Sequence, residues 1–362
     1  MQGRGGAAPG DAVRVVDHKR KFAGVAHYSS TSQISLRLLS HRDEAIDGAF
    51  YRGRIAQALE YRRRVVSDSD AYRVVFSEGD LLPGLILDRY AGAVVIQTLD
   101  QGMDRALPEI LAAVRELMAP DTIVLRNDVA VRERESLPVE KKVLAGDASA
   151  PVPIRMNGFT FHADLMGGQK TGVYLDQREN YAAAARFARG RVLDCFTSSG
   201  GFALHAAARA DTVIGIDSSA HAVELARSNA AANGVGNIEF RQADVFDFLA
   251  SEAHGRRSYG TIVLDPPAFA KSRGTVDGAA RGYKEINLRA LRLLEKGGVL
   301  VTCSCSHHMS EAMLAELVAE AALDAGRTLR VIDRRIQASD HPILLTVPET
   351  LYLKCLVLQA LD

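Results

Sequence analysis

The sequence predicts an α/β protein whose C-terminal half forms a doubly wound, mostly parallel sheet. Three observations carry this. From about residue 190, strands and helices alternate along the chain. Such alternation builds a parallel sheet with helices on both faces. The last two strands are separated by only about twenty residues without a clear helix, a spacing that suits antiparallel pairing at the end of the sheet. The residues before 150 follow a different, mixed pattern, and no internal repeat is visible.

The elements follow in order. Ala12–Val16 and Gln33–Leu39 alternate apolar and polar residues, the period-two pattern of half-buried strands. A helix runs from about Asp43 to Arg64, with Ile46, Ala49, Phe50, Gly53, Ala56 and Leu59 on one face. It ends in Arg62-Arg63-Arg64, which reads as solvated surface that suits the helix dipole, or as a binding patch. Residues 71–150 read as a small α+β unit: strands Tyr72–Ser77, Leu85–Asp88, Val94–Thr98 and Ile123–Leu125, and a helix striped by Leu107, Ile110, Leu111, Val114 and Leu117. Gly146–Pro153 is the linker candidate.

Beyond it come strand Val192–Phe196, helix Gly201–Arg209, strand Thr212–Asp217 and helix Ala220–Asn233, ended by Gly234. Strands Ile238–Gln242 and Thr261–Asp265, helix Glu285–Glu295 and strand Val299–Ser304 follow. Helix Glu311–Ala325 is capped by Ser310 and stopped by Gly326, and the chain closes with Leu329–Ile332 and Leu351–Leu358.

Composition narrows the classes. Of 362 residues, 47% are hydrophobic, enough for a large core and against a disordered chain. Lys plus Arg equals Asp plus Glu at 44 each, which argues against bulk electrostatic capture of nucleic acid but not against local basic patches. Such patches are expected at Arg62–Arg64 and around Arg126–Lys142. The four Cys lack zinc-finger spacing and suit a reducing cytoplasm, so no metal is expected. No apolar run is long enough to cross a bilayer.

Ligands of open α/β sheets sit at the carboxyl ends of the strands. Asp194-Cys195-Phe196-Thr197-Ser198-Ser199-Gly200-Gly201 follows the first of them. Its Gly pair allows close backbone approach to a ligand, although a plain tight turn would use the same residues. The dinucleotide fingerprint G-x-G-x-x-G is missing, which disfavours a nicotinamide or flavin. Asp217 stands where a carboxylate can accept ribose hydroxyls, or cap the next helix. Asp244 could accept an adenine amino group. Asp265-Pro266-Pro267-Ala268-Phe269 is the most specific signal, because two prolines fix a rigid turn able to aim the Asp265 carboxylate at a planar base. Cys305, after the fifth strand, is either a thiolate able to attack C6 of a pyrimidine or a small buried hydrophobe.

These strings resemble the class I S-adenosylmethionine-dependent methyltransferases. More narrowly, the chain is similar to the large-subunit 23S ribosomal RNA cytosine-5 methyltransferases of the methyltransferase I family. The resemblance rests on Lys170–Arg178, Asp194–Phe202, Asp265–Phe269, Arg281–Lys284, Ser304–Ser306 and Asp340–Pro342, and covers nearly the whole chain from about residue 10. It implies a Rossmann-like methyltransferase domain with a seven-stranded, mostly parallel sheet over 151–362. Before it would come a small α+β domain at 71–150, a linker helix at 41–70 and a partial PUA-like RNA-binding segment at 1–40.

The resemblance also implies S-adenosylmethionine as cofactor, held by Phe196, Ser198, Gly200, Asp217 and Asp244, with Lys170 and Gln177 contributed by the Lys170–Arg178 loop. Cys305 would be the nucleophile and Asp265 would orient the cytosine, with Pro266, Pro267, Phe269 and Tyr283 on the substrate side. The expected partner is 23S rRNA or an assembling large ribosomal subunit in the cytoplasm, not a membrane, with a homodimer left open.

Two departures stand out. Only the later half of the family's PUA domain is matched, roughly Gly10–Leu39. Ala268 stands where many RNA cytosine-5 methyltransferases carry a second Cys, so the group that removes the C5 proton is unassigned. The competing readings are methylation of a base nitrogen, which needs no Cys, and a non-catalytic ribosome-assembly protein that kept the fold.

Overall fold

A computed structural model describes residues 6–168, 170–269 and 276–362. The chain divides into two compact units. The first comprises Met1–Gly158, Ala163–Leu175 and Ser339–Thr350; the second comprises Phe159–His162, Asp176–Ala338 and Leu351–Asp362.

The first unit opens with an antiparallel sheet of β1 (Ala12–Val16), β2 (Phe22–Tyr28) and β3 (Leu36–Ser40). The alternating pattern located β1 and β3. It missed β2, whose last five residues are all buried, so no alternation marks it. Helix α1 (Gly48–Val65) starts later than its sequence pattern because Asp47 caps it, accepting from Ala49 N at 3.0 Å and Phe50 N at 3.1 Å. It buries Tyr51, Ile55, Ala58, Leu59 and Arg62.

Its apolar face shares one core with a five-stranded sheet of β4 (Ala71–Phe76), β5 (Leu85–Tyr90), β6 (Ala93–Thr98), β7 (Thr122–Asn127) and β8 (Glu140–Ala145), in that spatial order. Only β6 and β7 pair in parallel. Between them in sequence lie α2 (Gln101–Arg105) and α3 (Leu107–Met118), since a parallel pair needs a crossover. Strand β9 (Val152–Met156) follows.

The basic patches expected from sequence are corrected in part: Arg134, Lys141 and Lys142 are exposed, but three arginines are not. Arg62 is buried against the Asp80 carboxylate, with Nη2 donating to Asp80 Oδ2 at 2.7 Å and to the Asp340 carbonyl at 2.8 Å. Arg126 is buried and paired with Asp128, and Arg132 is buried and paired with Asp104. Burying a guanidinium is tolerable only with such partners. Arg63 and Arg64 remain exposed, both paired with Glu60.

The second unit starts with the first residues of β10 (Phe159–Ala163), followed by α4 (Arg178–Ala185). Strand β11 (Arg191–Cys195), helix α5 (Gly201–Ala207), strand β12 (Thr212–Asp217) and helix α6 (Ala220–Ala232) come next. Then come β13 (Ile238–Gln242), α7 (Val245–His254), β14 (Tyr259–Leu264) and α8 (Val276–Leu293). The unit ends with β15 (Leu294–Ser304), α9 (Glu311–Ala325), β16 (Leu329–Ile336) and β17 (Lys354–Ala360).

The sheet has seven strands in the order β13-β12-β11-β14-β15-β17-β16. The first five are parallel and β17 is antiparallel to both neighbours, as the short final connection predicted. One core holds Leu193, Ile216 and Leu300 with side chains of α7, α8 and α9. A second holds Val263, Val301 and Cys303 with Tyr181 of α4 and Phe202 of α5. Alternate residues of each strand thus bury against opposite helical layers.

Candidate active site

Strand order reverses at β11, which lies between β12 and β14, and the crevice at this switch point is where ligands of open α/β sheets bind. The turn after β11 is tightly wound: Phe196 and Ser198 have φ of 62° and 49°, and Gly200 has 85°. Left-handed backbone at a non-glycine residue is costly and persists where surroundings enforce it. Here Asp217 supplies part of that force. Its Oδ2 accepts from Ser198 N at 3.0 Å and its Oδ1 from Ser219 N at 2.9 Å. Each carboxylate oxygen keeps a further lone pair for an outside donor.

Asp194 lies beneath the same turn and is fully buried. Its Oδ2 accepts from the Thr197 hydroxyl at 2.6 Å and from Ala203 N at 3.0 Å, while its Oδ1 has no hydrogen-bond partner. Burial raises its carboxyl to about 7. Asp244 is exposed and caps α7, accepting from Asp247 N at 3.1 Å. That cap marks a helix the sequence pattern did not reveal.

The ends of β14 and β15 are adjacent, with Leu264 in register with Thr302. Asp265 and Cys305 follow them on neighbouring strands, and both are half-buried. Gln177 Nε2 donates to Asp265 Oδ1 at 2.9 Å, and Gln177 Oε1 accepts from Asn180 Nδ2 at 2.7 Å. Asn180 Nδ2 also donates to the Ile336 carbonyl at 3.1 Å. A three-residue chain therefore ties the Asp265 carboxylate to the start of α4 and to β16.

Pro266 is buried and Pro267 exposed. The Phe269 ring lies 4.9 Å from the Tyr283 ring. Tyr283 is fully buried and its hydroxyl shares a 2.8 Å hydrogen bond with Ser304 Oγ. It therefore braces the strand end that leads to Cys305 rather than presenting a surface to substrate. Lys354 on β17 donates from Nζ to the Ser306 carbonyl at 2.6 Å and to the Tyr352 carbonyl at 2.8 Å.

The second unit therefore groups Phe196, Ser198, Gly200, Asp217 and Asp244 around the ends of β11 to β13, and Asp265 and Cys305 at the ends of β14 and β15. Gln177, expected on the cofactor, is bonded to Asp265. Lys170 belongs to the first unit, where its ammonium lies 4.6 Å from the Tyr174 ring centre. Sequence reasoning passed over Asp194, Asn180 and Lys354. The legible signal for Lys354 was a lone cation inside the apolar run Leu351–Leu358.

Comparison with known proteins agrees with this architecture. A methyltransferase-domain model matches residues 187–340, and a PUA-like-domain model matches residues 2–41. A structure described as a methyltransferase complexed with SAH superposes with a TM-score of 0.86 at 20% identity, covering 97% of this chain and 92% of that one. A Methanocaldococcus jannaschii tRNA m1G37 methyltransferase superposes at 0.53 with 16% identity, over 98% and 92% of the two chains. Fold and strand-end site together define a methyltransferase of the α/β class.

Sequence relatives narrow this further. The chain is 40% identical to the ribosomal RNA large subunit methyltransferase I of Tolumonas auensis, over 99% of this chain and 92% of that protein. It is 41% identical to that of Shewanella amazonensis, over 96% and 90%. The chain belongs to the ribosomal RNA large subunit methyltransferase I family.

Proposed function

We propose that the protein transfers a methyl group to C5 of a cytosine in 23S rRNA, with Cys305 as the nucleophile. The observation that carries this reading is the placement of a half-buried Cys305 on the strand end next to Asp265, whose carboxylate Gln177 holds at 2.9 Å. Methylation of a base nitrogen has no evident use for a thiol at that place.

The cofactor is S-adenosylmethionine, which supplies an electrophilic methyl group when bound. The residues present suit it. Asp217 retains lone pairs for ribose hydroxyls, and the tight turn 196–200 allows close backbone approach.

The chain's own residues then act in sequence. Asp265, held by Gln177, orients the cytosine edge. The Cys305 thiolate adds to C6, forming an Sγ–C6 bond and moving the C5=C6 electron pair onto C5. That carbon is now nucleophilic and takes the methyl group as its bond to the sulfonium sulfur breaks, the sulfur leaving as a neutral thioether. Loss of the C5 proton restores the double bond and expels Cys305 as thiolate, a role suited to a sulfur that both attacks and leaves readily near neutral pH. The target cytosine must be single-stranded or flipped from its helix for C6 to be reached.

Cys305→Ala is the direct test. Transfer to rRNA should be abolished while S-adenosylmethionine binding persists, and product nucleosides from the wild type should contain 5-methylcytosine. Full activity in that variant, or a nitrogen-methylated product, overturns the reading.

A further inference from the structure

The buried ammonium of Lys354 is not used by the reaction as described. Lys354 is 4% exposed and lies on β17 directly opposite Ser304, the last residue of β15. No carboxylate pairs with it among the described residues. A buried lysine usually finds such a partner, because an uncompensated charge in the interior is costly. Two of its three N–H groups go to the Ser306 and Tyr352 carbonyls, at 2.6 and 2.8 Å. The first of these carbonyls belongs to the residue that follows Cys305.

We propose that Lys354 is a positioning residue for the Cys305 nucleophile: its ammonium clamps the Cys305–Ser306 backbone at the strand end and favours the thiolate form of the cysteine. The proposal rests on the reading of Cys305 as nucleophile. The proton leaves the thiol for solvent, and Lys354 stays protonated throughout.

The surrounding charges explain why a cation is needed there. Asp265, after β14, carries a carboxylate at the same strand ends. Asp176 accepts from the Tyr352 hydroxyl at 2.6 Å. Both anions oppose formation of a thiolate. Among the described residues, Tyr283 of α8, Cys303, His307 after β15 and Cys355 of β17 are further titratable groups around this point. Of the nearby arginines, Arg335 of β16 is engaged by Asn180 Oδ1 at 3.0 Å and Arg178 of α4 lies 3.6 Å from Glu179. Burial, opposed in part by a charged Cys305, brings the Lys354 ammonium down to about 8. Lysine and thiolate therefore support each other's charge near neutral pH.

The test reads the thiol without methyl transfer. Iodoacetamide alkylation of the full chain is followed from pH 6 to 10 by the mass of the Cys305 peptide, since Cys195, Cys303 and Cys355 are buried. In the wild type, the alkylation midpoint should lie below the roughly 8.5 of a free thiol. In Lys354→Met it should rise by about one pH unit, a typical effect of one nearby charge. The acid limb of kcat should move with it while KM for rRNA stays put, and Lys354→Arg should restore most of the wild-type midpoint.

A wild-type midpoint at or above that of a free thiol overturns the proposal, whether or not the variants fold. So does an unchanged midpoint in a Lys354→Met protein that binds S-adenosylmethionine normally, which would leave Lys354 a purely structural clamp. An active Cys305→Ala protein overturns the nucleophile reading instead, and the alkylation result separates the two failures.

Discussion

Gln177 Nε2 donates to Asp265 Oδ1 at 2.9 Å, joining residues 88 positions apart in the sequence. The bond fixes the orientation of the Asp265 carboxylate at the end of β14. Because Gln177 is itself held by Asn180 at 2.7 Å, the Asp265 carboxylate is oriented through two successive amides.

Gln177→Leu removes this restraint without touching the thiol. Loss of one hydrogen bond to a charged group costs about 1.5–3 kcal/mol, so kcat/KM on an rRNA fragment should fall by roughly ten- to a hundredfold, at about 1.4 kcal/mol per decade. S-adenosylmethionine affinity should change little. Steady-state methyl transfer together with cofactor titration checks both halves, and wild-type kcat/KM would show that Asp265 needs no such support.

The Asp194 carboxyl predicts a pH effect with a definite sign. Burial raises it from its ordinary value to about 7, so the folded chain keeps a proton that the unfolded chain releases near pH 4. The resulting stabilisation is complete below about pH 4 and is lost as pH rises through about 7. Asn in its place can still accept from Thr197 and Ala203 but cannot ionise. The stability of the wild type relative to Asp194→Asn, measured by urea unfolding, should therefore decline between pH 4 and 7. A constant difference across that window contradicts the assignment.

Asp80→Ala leaves the Arg62 guanidinium buried without its carboxylate. Removing one partner of a buried ion pair typically costs about 3–5 kcal/mol, and the carbonyls of Arg73 and Asp340 replace no negative charge. Unfolding of the first unit should shift by that amount. Glu60→Ala, which breaks only exposed pairs with Arg63 and Arg64, should cost under about 1 kcal/mol.

Gly201→Ala tests the packing around the turn 196–200. A Cβ there would stand 2.3 Å from Tyr181 Cζ, and the Tyr181 ring is held edge-on against Phe202 at 4.8 Å. Overpacking of this kind costs about 1–3 kcal/mol, which should appear as a lowered urea midpoint. An unchanged midpoint would mean that Tyr181 can move aside freely.

Part of this molecule is readable in its sequence alone. Strand–helix alternation placed β11, β12, β13, β14 and α9 within a residue or two, because each carries its own period and its own caps. The short connection before the last strand indicated an antiparallel partner. Helix α7 is not legible in the sequence because Asp244, its cap, has the same residue type and place as a ligand acid at a strand end. The burial of Arg62 is hidden by the charged run in which it stands, since such a run suggests solvent. Yet Arg62 continues the series Tyr51, Ile55, Ala58 and Leu59 at helical spacing, and that series faces the core.

Local patterning thus specifies what a segment is: its period, its ends and the residue types that stand at each strand terminus. It singled out Asp265 and Cys305 together, because both follow strands of one parallel sheet. Which polar groups meet is a different matter, since side-chain bonds across 88 or 48 residues leave no periodic trace. The folded chain alone brings Gln177 to Asp265 and the Lys354 ammonium to the backbone beside Cys305. It does so because each of these groups, once buried, has to find its partner inside the protein.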